Sequence, residues 1–82
     1  MNTLKTNYGY ALVDKDTREI LKFGETLYPE TRYTQSYLDS INAEMLVLES
    51  GTKEYIHNWQ YDMNSYIKAR YGSFPPLSSK GW

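Results

Sequence analysis

Tyr8-Gly9-Tyr10-Ala11-Leu12-Val13-Asp14-Lys15-Asp16-Thr17-Arg18-Glu19-Ile20-Leu21-Lys22-Phe23-Gly24 is the stretch that decides the fold. Tyr8–Val13 is aromatic and apolar and reads as a strand. Asp14-Lys15-Asp16-Thr17 is a tight polar turn, because Asp and Thr side chains bond their own backbone there. Arg18–Gly24 reads as a second strand, so the pair forms an antiparallel hairpin. Alternate strand residues share a face, which puts Tyr8 and Tyr10 on the same side. Beyond the hairpin, Pro29 and Glu30 suit the first turn of a helix. That helix would carry Tyr33, Tyr37, Leu38 and Ile41 on one face. Glu44-Met45-Leu46-Val47-Leu48-Glu49 is a short apolar run, expected as a third, central strand. Ser50-Gly51-Thr52 breaks it, and Thr52 is placed to cap a helix from about Lys53 to about Arg70. Gly72 supplies the stop. Pro75-Pro76 opens an irregular tail ending at Trp82. The order strand, strand, helix, strand, helix predicts an α/β fold, a small three-stranded mixed sheet flanked by helices.

With 82 residues and no repeat or internal linker, 1–82 reads as a single domain. A chain this short buries about 60% of its unfolded surface, so its core is thin. The absence of cysteine excludes disulfides, thiolate zinc sites and a Cys nucleophile. The longest apolar run is too short to span a bilayer and no signal peptide is read at the start, so no membrane partner is expected. Nine Tyr and two Trp are the unusual feature, able to build a core and to line a wet groove. The net charge of -1 argues against a strongly basic nucleic-acid binder. Its distribution is uneven: residues 1–50 hold five Lys/Arg against eight Asp/Glu, and residues 51–82 hold four against two.

At 100° per residue, the last helix places Tyr55, Ile56, Trp59, Met63, Tyr66 and Ile67 on one broad face toward the sheet. Lys53, His57, Gln60 and Asn64 form a polar stripe along its edge. Glu54 and Asp62 lie well away from that stripe. A cleft beside the helix would be lined by His57, Gln60 and Asn64.

Tyr8-Gly9-Tyr10, followed after a short turn by Lys22-Phe23-Gly24, resembles the paired strand motifs of the GIY-YIG nucleases. Arg32 stands eight residues beyond Gly24, where that family places its helix-borne arginine. The chain further resembles a branch of bacterial polymorphic toxin domains. Gly24-Glu25-Thr26, Arg32-Tyr33, Gly51-Thr52-Lys53, and Pro75-Pro76-Leu77 with a terminal Trp82 carry that likeness, which runs from Tyr8 to Trp82. The resemblance implies a metal-dependent endonuclease cutting nucleic acid, DNA more than RNA. It would use Mg²⁺ or another divalent cation and be held in check by a cognate immunity protein. The domain would be the C-terminal toxin module of a secreted bacterial effector acting in the target-cell cytoplasm.

Phosphodiester hydrolysis must remove a proton from the attacking oxygen, neutralise the phosphoryl oxygens and stabilise the leaving group. By resemblance, Tyr10 and Tyr8 orient or activate the water. Lys22 replaces the first Tyr of the second motif, as a phosphate clamp or a base. Arg32 holds the phosphate through its planar fork. The metal-binding Glu of the family aligns with Gln60, and a neutral amide is a poor Mg²⁺ ligand. An Asn near the end of the motif region is here Ser78. Three explanations stand: an inactive form, natural or made by Glu→Gln substitution; a branch using His57 or another group; or a shifted register with Glu54 or Asp62 as ligand, which the helical wheel opposes.

Each residue also has a plainer reading. Tyr8 and Tyr10 are ordinary sheet aromatics, Arg32 a solvated surface residue, His57 a lone structural histidine. Gln60 would edge the core, Trp82 would pack the tail, and Lys22 would be an edge-strand charge that deters aggregation. Their joint order favours the nuclease. The alternative is a non-catalytic nucleic-acid- or protein-binding module on the same scaffold, and a third reading is an unrelated small α/β domain.

Overall fold

A computed structural model describes residues 5–77. Ser78 and Trp82 lie outside the described residues. The elements are β1 (Asn7–Asp14), β2 (Ile20–Thr26), α1 (Gln35–Ser40), β3 (Ala43–Gly51) and α2 (Lys53–Tyr71). They form a small α/β fold with one three-stranded sheet, ordered β2-β1-β3. β1 pairs antiparallel with both neighbours. The expected mixed sheet is therefore corrected to an antiparallel one. β2 and β3 run the same way but sit on opposite edges of β1, so no parallel pairing arises. The central strand is β1, not β3, and Tyr10–Val13 are all buried. The apolar run in β3 lies on an edge, where Val47 and Leu48 remain about half exposed. The register shifts from Gly9 opposite Glu49 to Tyr10 opposite Val47, so Leu48 is an extra residue in a β-bulge.

The hairpin turn forms as its composition dictates. The Asp14 carboxylate accepts from the backbone N–H of Asp16 (2.8 Å) and Thr17 (2.9 Å). Those amides hold its pKa below the usual value. Arg18 adopts φ 64, and the Asp14 N–H donates to the Glu19 carbonyl. Arg18 and Glu19 thus belong to the turn, and the second strand starts at Ile20.

The first helix is shorter than expected. Pro29 and Glu30 lie in an irregular connection instead of a first helical turn, and α1 begins at Gln35. Thr34 caps it, its hydroxyl accepting from the Tyr37 N–H at 3.0 Å. Arg32 and Tyr33 consequently stand on a loop rather than on a helix. α2 follows the expected plan. The Thr52 hydroxyl accepts from the Tyr55 N–H, and Gly72 ends the helix at φ 85 with its N–H on the Lys68 carbonyl.

Strand alternation splits the core into two faces. Tyr10, Leu12, Leu38 and Ala43 pack with Leu21, Tyr33, Ile41 and Met45 on the α1 face. Ala11, Val13 and Phe23 pack with Leu46, Trp59, Met63 and Ile67 on the α2 face. Each large apolar side chain so buried contributes about 1.5–3 kcal/mol. The buried face of α2 is narrower than the wheel suggested. Tyr55 and Tyr66 are exposed, whereas Gln60 and Asn64 of the polar stripe are buried.

Two glycines make the close approaches possible. A Cβ at Gly9 would meet the Trp59 ring, and one at Gly24 would overlap the Tyr10 ring and hydroxyl. Gly24→Ala is expected to destabilise the fold by about 1–3 kcal/mol. A thermal melt should show a drop of about 4–8 °C per kcal/mol for a domain of this size.

Candidate functional site

The α1 face carries a compact polar and aromatic cluster. The Tyr10 hydroxyl lies 2.8 Å from the Tyr33 hydroxyl, with the rings edge-to-face at 5.7 Å. Tyr33 in turn stacks on Tyr37, with centroids 5.4 Å apart. The Arg32 guanidinium sits over the Tyr33 ring, 4.5 Å from its centroid. Such a contact contributes about 0.5–1 kcal/mol at an exposed site and holds the guanidinium plane near the two phenols.

Burial raises the Tyr10 pKa well above its usual 10.0, the hydrogen bond to Tyr33 adds to this, and the Arg32 charge partly offsets it. The Tyr10 phenol therefore stays protonated at neutral pH. It can orient a water or donate to a phosphoryl oxygen, and it is not poised as an oxyanion base.

Tyr8 shares this face by strand alternation, half-buried. Lys22 lies opposite Leu12 in the register, on the same face, and is also half-buried. Tyr8, Tyr10, Lys22 and Arg32 thus occupy one side of the sheet, with Tyr10 and Arg32 in direct electrostatic contact. Tyr33 completes the cluster. Its neighbour Arg32 was the available sequence signal, but a helical reading of 29–41 hides its role as the partner of Tyr10.

His57 and Gln60 are placed otherwise. Both are carried by α2, which packs on the opposite face. Gln60 is 5% exposed, and its amide N–H donates to the Phe23 carbonyl at 3.3 Å. His57 is exposed, with Nδ1 3.6 Å from Glu25 Oε1. Glu54 and Asp62 are exposed. Glu25 went unread as a site residue. Its signal was parity, since it is one residue past Gly24 and so faces α2.

The donor set at position 60 does not fit a Mg²⁺ ion. The Gln60 amide is neutral, buried and committed to a backbone carbonyl, whereas Mg²⁺ is held by carboxylates and water. No three His, Cys, Asp or Glu side chains gather among the described residues. No helix of the described residues is long and apolar enough to cross a membrane. No family model matches the chain, and no curated protein or solved structure matches it.

The shifted tyrosine makes a pH prediction. The native state binds the Tyr10 proton more tightly than the unfolded chain does. The resulting stability is fully present below the ordinary tyrosine pKa of 10.0 and is lost as pH rises above it. Absorbance titration at the phenolate band should show one tyrosine resisting ionisation after exposed ones have titrated. Tyr33→Phe should move that tyrosine back toward the ordinary value and cost about 1–2 kcal/mol in a denaturant melt.

Proposed function

We propose that the chain is a GIY-YIG-like domain acting on nucleic-acid phosphodiesters, DNA before RNA, with endonuclease chemistry impaired by Gln60. The observation that carries this reading is the meeting of the Tyr10 phenol, the Tyr33 hydroxyl and the Arg32 guanidinium on one face. A protonated phenol and a planar cation side by side suit a phosphate, which offers several acceptor oxygens and negative charge. Lys22 on the same face adds a second cation for the flanking backbone.

In this reading the neutral Tyr10 hydroxyl positions the attacking water or donates to a non-bridging oxygen. Arg32 holds the scissile phosphate and offsets the charge that builds on it. The motifs from Tyr8 to Trp82 support a toxin module of a secreted bacterial effector. Its target would be nucleic acid in the cytoplasm of another cell, with an immunity protein as its second partner. A divalent cation belongs to that family chemistry, but Gln60 is not suited to hold it.

A second reading is favoured by the engaged Gln60 amide: a non-catalytic module that binds nucleic acid or protein on the same scaffold. Plasmid and RNA cleavage assays with Mg²⁺ separate the two. The wild-type chain should cut weakly, Gln60→Glu should cut more strongly, and adding Arg32→Ala to Gln60→Glu should abolish cutting. Salt-dependent binding without cleavage by any variant would favour the binding module. Neither cleavage nor binding of DNA or RNA would remove the phosphodiester reading.

Gln60→Glu also has a structural consequence. A carboxylate in place of the amide would face the Phe23 carbonyl, oxygen against oxygen. The variant should lose about 1–3 kcal/mol at neutral pH. It should recover as acid protonates the new side chain and restores a donor. Melts between pH 4 and 8 check this.

A further inference from the structure

Glu25 sits on β2 directly opposite Gly9, on the face covered by Trp59 and the rest of α2. Its side chain is 27% exposed, yet Oε2 is fully buried and meets no hydrogen-bond donor among the described residues. Leaving a buried acceptor unmet costs about 1–3 kcal/mol, and more for a charged one. The other oxygen, Oε1, is 3.6 Å from His57 Nδ1, too far for a hydrogen bond. The separation has another meaning. Two ligands each ~2.1 Å from one ion, at ~90–109° to one another, stand ~3.0–3.4 Å apart. The observed gap is within a few tenths of an ångström of that span.

Gln60 lies one turn beyond His57 on α2. Its N–H group is spent on Phe23, which leaves its amide oxygen as the acceptor. We propose that Glu25 and His57 hold a divalent cation between β2 and α2, with the Gln60 amide oxygen and water completing the coordination. One imidazole, one carboxylate and one amide oxygen select a borderline ion such as Zn²⁺ or Mn²⁺ over Mg²⁺. With only two strong protein ligands the site is open and its affinity modest. The ion would give the buried Glu25 oxygen its missing positive partner and tie the helix to the strand. This inference does not require the chain to cut or bind nucleic acid.

Isothermal titration of the full chain with ZnCl₂, MnCl₂ and MgCl₂, together with thermal melts, tests the site. One Zn²⁺ or Mn²⁺ should bind per chain and raise Tm, with Mg²⁺ weaker. Glu25→Gln and His57→Ala should each weaken binding by roughly tenfold or more, equivalent to ~1.4 kcal/mol. Arg32→Ala should leave it unchanged, whatever it does to nucleic acid. If Glu25→Gln fails to fold, His57→Gln at a half-exposed position carries the same test. Absence of stoichiometric binding would overturn the proposal. So would binding that survives loss of the Glu25 carboxylate, which would mark only a surface histidine.

Discussion

A buried phenol governs this molecule. Tyr10 lies in the central strand, 1% exposed, with its ring laid across Gly24 of the neighbouring strand. Its hydroxyl cannot be left without a partner in that setting, because an unmet buried polar group costs more than a made hydrogen bond returns. Tyr33 supplies the partner at 2.8 Å. That contact draws the segment after β2 down onto the sheet. The helix cannot begin there and starts only after the Thr34 cap. Arg32, one residue earlier, is thereby fixed above the Tyr33 ring. Core packing and the placement of the candidate phosphate-binding cation follow from the same pair of hydroxyls.

The opposite face solves a related problem with different groups. Gly9 opens room on β1 for Trp59, and the helix bearing it closes over Ala11, Val13 and Phe23. The same helix buries two amides, Gln60 and Asn64, among its apolar residues. Gln60 answers the Phe23 carbonyl, which makes it a strut between helix and strand. A strut of this kind explains why a neutral side chain is stable at that position and why a carboxylate would not be without a cation or a proton. The two faces share the strand β2. Gly24 belongs to one face and Glu25 to the other.

Local chemistry was legible in the sequence. The Asp14–Thr17 turn, the Thr52 cap and the Gly72 stop each depend on side chains acting within a few residues, and each forms where the residues imply. Pairing was not legible. The apolar run at 45–48 is what a central strand offers, but whether a strand is central depends on what lies beside it, and β1 took that place. Helix start was hidden for a similar reason. Pro29 and Glu30 are good first-turn residues, and only the distant demand of Tyr10 for a partner outweighs them. At the site, the placement of Tyr8, Tyr10 and Lys22 on one face followed from the two-residue strand period. The loop position of Arg32 and the pairing of Glu25 with His57 depend on tertiary contacts that spacing does not encode.

The central claim is that Tyr10 and Arg32 act as one unit on a phosphodiester. A double-mutant cycle of Tyr10→Phe and Arg32→Ala, read as affinity for a short DNA duplex, tests it most directly. Groups that share one phosphate should show a coupling energy of about 1 kcal/mol or more. Losses that simply add, or an affinity that neither substitution changes, would contradict the account.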